Sequence, residues 1–142
     1  MNLKHSLIGR IAVGKLIGFL IGGLAFFMIP SVFPEAGIWL RCGVWAWYIT
    51  LGAMVGLVGV ITYHPVLKFQ MPYWLRGIAM GAWMNFVLVL LLYPQLVVLL
   101  DGFSVGGVSF SNPFWFVVEG AILGLIMDWA ATKYCGEGKD LV

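Results

Sequence analysis

Charge is what this sequence has least of. Only 10% of its 142 residues are Asp, Glu, Lys or Arg, whereas 62% are hydrophobic, and the mean hydropathy is +1.01. A soluble domain of this size needs a charged surface, so the composition excludes one. The formal charge of +2 is too small for a nucleic-acid partner, which would require clustered basic residues to neutralise phosphates. Cysteine is scarce as well. Cys42 and Cys135 fall at opposite ends of the expected topology, so one disulfide could not join them, and neither lies in a CxxC or Cys/His pattern that would bind zinc or carry thiol redox chemistry. The two histidines, His5 and His64, both lie at the expected membrane boundary, which leaves no intramembrane histidine pair for a haem. No HExxH, Ser/His pairing or carboxylate cluster marks an active site. The residues therefore point to no catalysis and to no cofactor or metal.

What the chain has in abundance is long apolar segments. A hydrocarbon core about 30 Å thick is crossed by about 20 helical residues, and four stretches reach that length: 7–29, 38–63, 77–100 and 114–132. The expected fold class is an all-α integral membrane protein, a single transmembrane domain of four spans forming a compact glycine-packed bundle. Pro30 and Pro34 end the first span, His64-Pro65 ends the second, and Asn112-Pro113 supplies an N-cap with proline at the first helical position of the fourth. Lys4, Arg10 and Lys15 ahead of an apolar run resemble the start of a signal peptide, but 11–29 shows no small-residue cleavage pattern, so the reading keeps it as the first helix. Pro94 removes a backbone donor from the third span and predicts a kink or an early end near Tyr93. Beyond it, 103–110 alternates apolar and small polar residues around Gly106-Gly107, the pattern of a very short hairpin.

Basic residues set the expected orientation. Lys4, Arg10, Lys15, Lys68, Arg76, Lys133 and Lys139 fall on one side and only Arg41 on the other, which predicts both termini and the middle loop in the cytoplasm. Trp39, Tyr93 and Trp115 then mark the outer interface; Tyr63, Tyr73, Trp74, Trp129 and Tyr134 mark the inner one. The loop 64–76 mixes apolar, aromatic and basic residues, as a segment lying against anionic lipid or a cytoplasmic partner would. The expected location is a bacterial inner membrane.

Small residues recur four apart in every span: Gly14, Gly18 and Gly22; Gly52 and Gly56; Gly77 and Gly81; Gly120 and Gly124. Such grooves bring helix backbones together within the chain or between copies. Intramembrane charges are the other candidate functional positions, because each costs roughly 2.5–3.5 kcal/mol at the centre of a span even on mild scales. Lys15, about 12 Å into the first helix, is expected to pair with Asp128, with Arg10 as the competing partner. Arg41 and Glu119 lie at similar depths near the other end and are expected to form a second pair; the sharper reading of Glu119 is a proton or cation site. Asn85, mid-span, reads as an interhelical hydrogen bond or a substrate contact. The resulting expectation is a noncatalytic component that associates with lipid and with itself or another membrane protein, as an accessory or assembly subunit. The alternative is a small oligomeric transporter or channel using Lys15, Asn85, Glu119 and Asp128.

Overall fold

The computed structural model describes residues 5–64, 66–101 and 104–138; the expectations placed on Lys4, Pro65, Phe103 and Lys139 lie outside the described residues. Four helices are long and apolar enough to cross a membrane: α1 (Leu7–Val32), α2 (Ile38–Leu57, continued by a 3-10 turn Val58–Val60), α3 (Tyr73–Leu100) and α4 (Trp115–Cys135). A two-stranded antiparallel hairpin, β1 (Ser104–Val105) and β2 (Val108–Ser109), links α3 to α4. Its turn places Gly106 and Gly107 at φ of 59° and 83°, the pair of positive angles that a tight two-residue connection demands.

The helix ends depart from the sequence expectation in instructive ways. Pro30 does not stop α1, which runs to Val32. A proline in the last turn removes one donor and orphans the carbonyl four residues back, here that of Phe26, and Arg41 supplies the missing donor through its Nε at 2.9 Å. The α-helical part of α2 stops at Leu57, six residues short of the expected 63. There the Gly56 carbonyl accepts from Arg10 Nε at 3.2 Å, and the chain tightens into the 3-10 turn. The loop that follows folds on itself through a Tyr63–Gln70 bridge and a bond from Leu67 N to His64 Nδ1. Helix α3 begins at Tyr73, four residues earlier than expected, directly after Pro72. It bends at Leu92 (φ −117°, ψ 21°), two residues before Pro94, whose ring and missing N–H disrupt the preceding turn. Helix α4 begins at Trp115 with Phe114 at its N-cap, so Asn112 and Pro113 form the turn before it rather than its cap and first residue; Asn112 Oδ1 accepts from Phe114 N there, and the helix ends at Gly136 with φ 77°.

Packing is in pairs: α1 lies chiefly on α2, and α3 chiefly on α4. Along the first seam Gly14 abuts the backbone of Gly52, Gly18 that of Tyr48, and Gly56 that of Arg10 and Ile11. Along the second, Gly77 meets Gly124, and Gly81 meets Gly120. A Cβ at Gly56 would lie 2.7 Å from the Arg10 carbonyl oxygen, inside any real contact distance. Backbones this close gain dispersion contacts that lipid tails cannot match. The two pairs join around a small core of Tyr48, Leu51, Val55 and Met127, with Ile17, Ile21, Met80, Met84 and Leu123 packed against it. Outward positions such as Leu20, Leu24, Phe27, Trp83 and Leu91 are exposed. In water that much apolar surface would drive aggregation; in hydrocarbon it is the matching surface.

Replacing Gly14 or Gly81 with Leu is expected to lower stability by at least about 1–3 kcal/mol through overpacking. Gly43→Leu is the control, since nothing lies within 4 Å of a Cβ there, and it should leave the melting temperature in detergent unchanged.

Candidate functional site

At the end of the bundle where α1 begins and α4 ends, charged side chains converge in the interior. Ser6 caps α1, accepting from Gly9 N, and this fixes Arg10 in the first turn, fully buried. Gly59 leaves the space for its side chain, since a Cβ there would overlap the guanidinium, while Gly56 admits the Arg10 backbone. Arg10 reaches across both helix pairs: Nη2 pairs with Asp128 Oδ1, and Nη1 donates to the Gly136 carbonyl and, at 3.0 Å, to Thr132 Oγ1. Pro72 starts α3 early enough to place Arg76 in its first turn, 2% exposed. Its Nε donates to Asp128 Oδ2 at 2.8 Å, and its Nη2 to Glu137 Oε2 at 2.8 Å and to Asp128 Oδ1 at 3.3 Å. Asp128, fully buried on α4, is therefore held between two guanidiniums, with Thr132 Oγ1 3.4 Å away. Two arginines against Asp128 and Glu137 leave the cluster neutral.

This arrangement corrects the expected Lys15–Asp128 pair. Lys15 is exposed and forms no ion pair among the described residues. Five residues along a helix is a rotation of about 140°, so Lys15 points away from the face that carries Arg10. The arginine is also chemically better suited: its planar fork can satisfy a carboxylate, a hydroxyl and two carbonyls together, whereas an ammonium is a compact point charge. Arg76 and Glu137 are the members of the cluster that linear spacing does not single out. Arg76 reads as a loop charge, although Pro72 followed by Tyr73-Trp74-Leu75 is a helix-start signal that places it on α3. Nothing in the sequence around Glu137 marks it.

Two further contacts tie the helix pairs together nearer the hairpin end. Asn85, fully buried, accepts from Trp47 Nε1 at 3.1 Å and donates Nδ2 to the Phe116 carbonyl at 2.8 Å, so one amide links α3 to α2 and α4. The Tyr48 hydroxyl lies 2.9 and 3.0 Å from the two oxygens of Glu119. The expected Arg41–Glu119 pair is not formed. Arg41 is turned to α1, where its guanidinium stacks 4.1 Å from the centre of the Phe26 ring while donating to the carbonyl that Pro30 freed. Glu119 is left with a neutral partner, next to an apolar groove of about 540 Å³.

Among the described residues, no buried side-chain nitrogen or oxygen lacks a hydrogen-bond partner, and no three His, Cys, Asp or Glu side chains gather as a metal site. A carboxylate fixed by two guanidiniums is a clamp rather than an available base. Four apolar helices crossed by internal polar links mark a multi-pass membrane protein. No protein-family model matches the chain, no curated protein is similar to it in sequence, and no solved structure is similar to it in fold.

Asp128→Ala would leave buried Arg10 without an acidic partner and Arg76 with Glu137 alone, and is expected to destabilise the protein by about 3–5 kcal/mol. The combined change Arg10→Met, Arg76→Met, Asp128→Leu and Glu137→Gln should recover most of that loss, because removing all four charged members leaves no uncompensated charge. Lys15→Ala should stay within about 0.5 kcal/mol of the parent. Thermal unfolding in one detergent compares all three.

Proposed function

We propose that this chain is a noncatalytic multi-pass component of a bacterial inner membrane that acts by assembling with itself or with another membrane protein. The observation that carries this reading is the closed charge cluster. Arg10, Arg76 and Asp128 use their charges on one another and on Glu137, Gly136 and Thr132, so the strongest intramembrane chemistry in the molecule is spent holding helices together. The outside world meets apolar helix faces and short loops, which suit contact with lipid and with partner helices.

The proposed orientation puts both termini and the 61–72 loop in the cytoplasm, with the hairpin outside. Its support is the distribution of basic residues. Arg10 and Arg76 are neutralised internally, so among the described residues the bias rests on Lys15, Lys68 and Lys133 against Arg41. Lys133 lies 4.9 Å from the Trp129 ring centre and 5.9 Å from that of Tyr134, an aromatic and basic grouping suited to the headgroup layer.

A membrane-impermeant maleimide should label Ser111→Cys in intact cells and Val66→Cys only after permeabilisation, in a background lacking Cys42 and Cys135; the reverse pattern would invert the topology. The mass of the complex extracted in native nanodiscs tests assembly. A fixed ratio of this chain to a second protein, or a closed ring of copies, is expected. A monomer, or cation flux that disappears in Glu119→Gln, would displace the assembly role.

A further inference from the structure

The loop between α2 and α3 is tied to membrane-spanning helices at both ends. The 3-10 turn that extends α2 stops at Val60 and α3 begins at Tyr73, so 61–72 is held at the bilayer surface. It is also folded. Tyr63 bridges to Gln70. His64 N donates to the Phe69 carbonyl, Lys68 N to the His64 carbonyl and Met71 N to the Thr62 carbonyl, each at 2.9 Å, and Leu67 N donates to His64 Nδ1 at 3.0 Å. The His64 and Phe69 rings stack with their centres 5.7 Å apart. Backbone donors satisfied inside the loop lower the cost of taking it out of bulk water.

The folded loop presents apolar side chains and one charge. Val66 and Leu67 are 78% and 66% exposed, and Tyr63 and Phe69 are exposed as well. Facing water, that surface is unfavourable; against the boundary between headgroups and acyl chains it is matched. The charge is Lys68, which is exposed and forms no ion pair among the described residues. The segment 61–72 contains no acid, and Asp128 and Glu137 at this end of the bundle are committed to Arg10 and Arg76. Lys68 also adopts a φ of 51°, a region that glycine and asparagine enter more readily than lysine, so the turn itself gives no reason for a lysine. A cation without an acid, set among exposed apolar and aromatic side chains at the bilayer surface, complements an anionic lipid. A partner protein would have to bring both an acid and an apolar surface to this place, where lipid already supplies them.

We propose that the 61–72 loop is an interfacial anchor that selects anionic phospholipid, with Lys68 against the lipid phosphate and Val66 and Leu67 toward the acyl boundary. The inference rests on the membrane placement of the four helices, and not on their orientation or on the assembly role. The headgroup layer is hydrated, so a thiol replacing Val66 there still meets a water-soluble maleimide.

The test is quenching of a bimane attached at Leu67→Cys, in a background lacking Cys42 and Cys135, on the full chain in phosphatidylcholine nanodiscs. The discs carry equal small fractions of either phosphatidylglycerol or phosphatidylcholine with a nitroxide high on the acyl chain. Labelled phosphatidylglycerol is expected to associate about fivefold more strongly than labelled phosphatidylcholine, the preference that one lysine contributes near an anionic surface. Lys68→Gly, which suits the backbone angle, should bring the two lipids to parity; Lys68→Arg should keep the preference. Equal quenching by the two lipids in the parent, a preference that survives Lys68→Gly, or quenching by aqueous iodide with none by either lipid would each overturn the proposal, the last by placing the loop in water or on a partner protein. A monomer in the nanodisc would count against assembly and leave this result unaffected.

Discussion

Asp128 is held between Arg10 and Arg76, and much of the bundle can be understood as the surroundings that this buried carboxylate requires. An unpaired charge in a low-dielectric interior is costly, and mutual attraction offsets desolvation only when geometry and additional hydrogen bonds are good. The sequence supplies both conditions locally. Gly59 makes room for a guanidinium, Ser6 and Pro72 start two helices so that each arginine falls in a first turn, and the chain beyond α4 adds the Gly136 carbonyl and the Glu137 carboxylate. Arg10 on the first helix pair and Arg76 on the second meet on one residue, so the clamp holds the pairs together as well as neutralising Asp128.

Hydrocarbon as a solvent explains why these links matter. Apolar surface gains little by leaving lipid for another apolar surface, so helices associate through close backbone approach and internal polar bonds. The glycine seams supply the first within each pair. Between pairs the molecule relies on a small core and on three polar links at successive depths: Asp128 with its arginines, Tyr48 with Glu119, and Asn85 with Trp47 and Phe116. Pro30 shows the same requirement in the backbone. A carbonyl released where water is excluded needs another donor, and Arg41 is drawn to Phe26 to provide it. With Arg41 so engaged, Glu119 is met by the Tyr48 hydroxyl instead of a cation.

The broad architecture was legible along the chain, because run length and turn chemistry are local properties. Four apolar segments of spanning length, a glycine pair at the turn of the hairpin and Pro94 in the third span all have their counterparts in the structure. The helix ends were less legible. Pro30 reads locally as a stop but is tolerated because Arg41, on another helix, replaces the donor it removes. Arg76 reads as a loop charge until Pro72 is recognised as the point where α3 begins.

The sequence by itself determined that this chain has four helices suited to a membrane and that a few charges must be matched within them, since hydropathy and the cost of burying charge do not depend on how the helices are arranged. Which charges meet was decided only by tertiary structure. Lys15 and Arg10 lie at comparable positions in the sequence, and Arg41 lies at a depth that suits Glu119. Helix rotation and the space left by Gly59 turned Arg10 inward and Lys15 outward, and one freed carbonyl turned Arg41 aside. Ion pairing falls off over a few ångströms and depends on donor geometry, so it is settled by the relative placement of helices distant in sequence, which linear spacing does not encode.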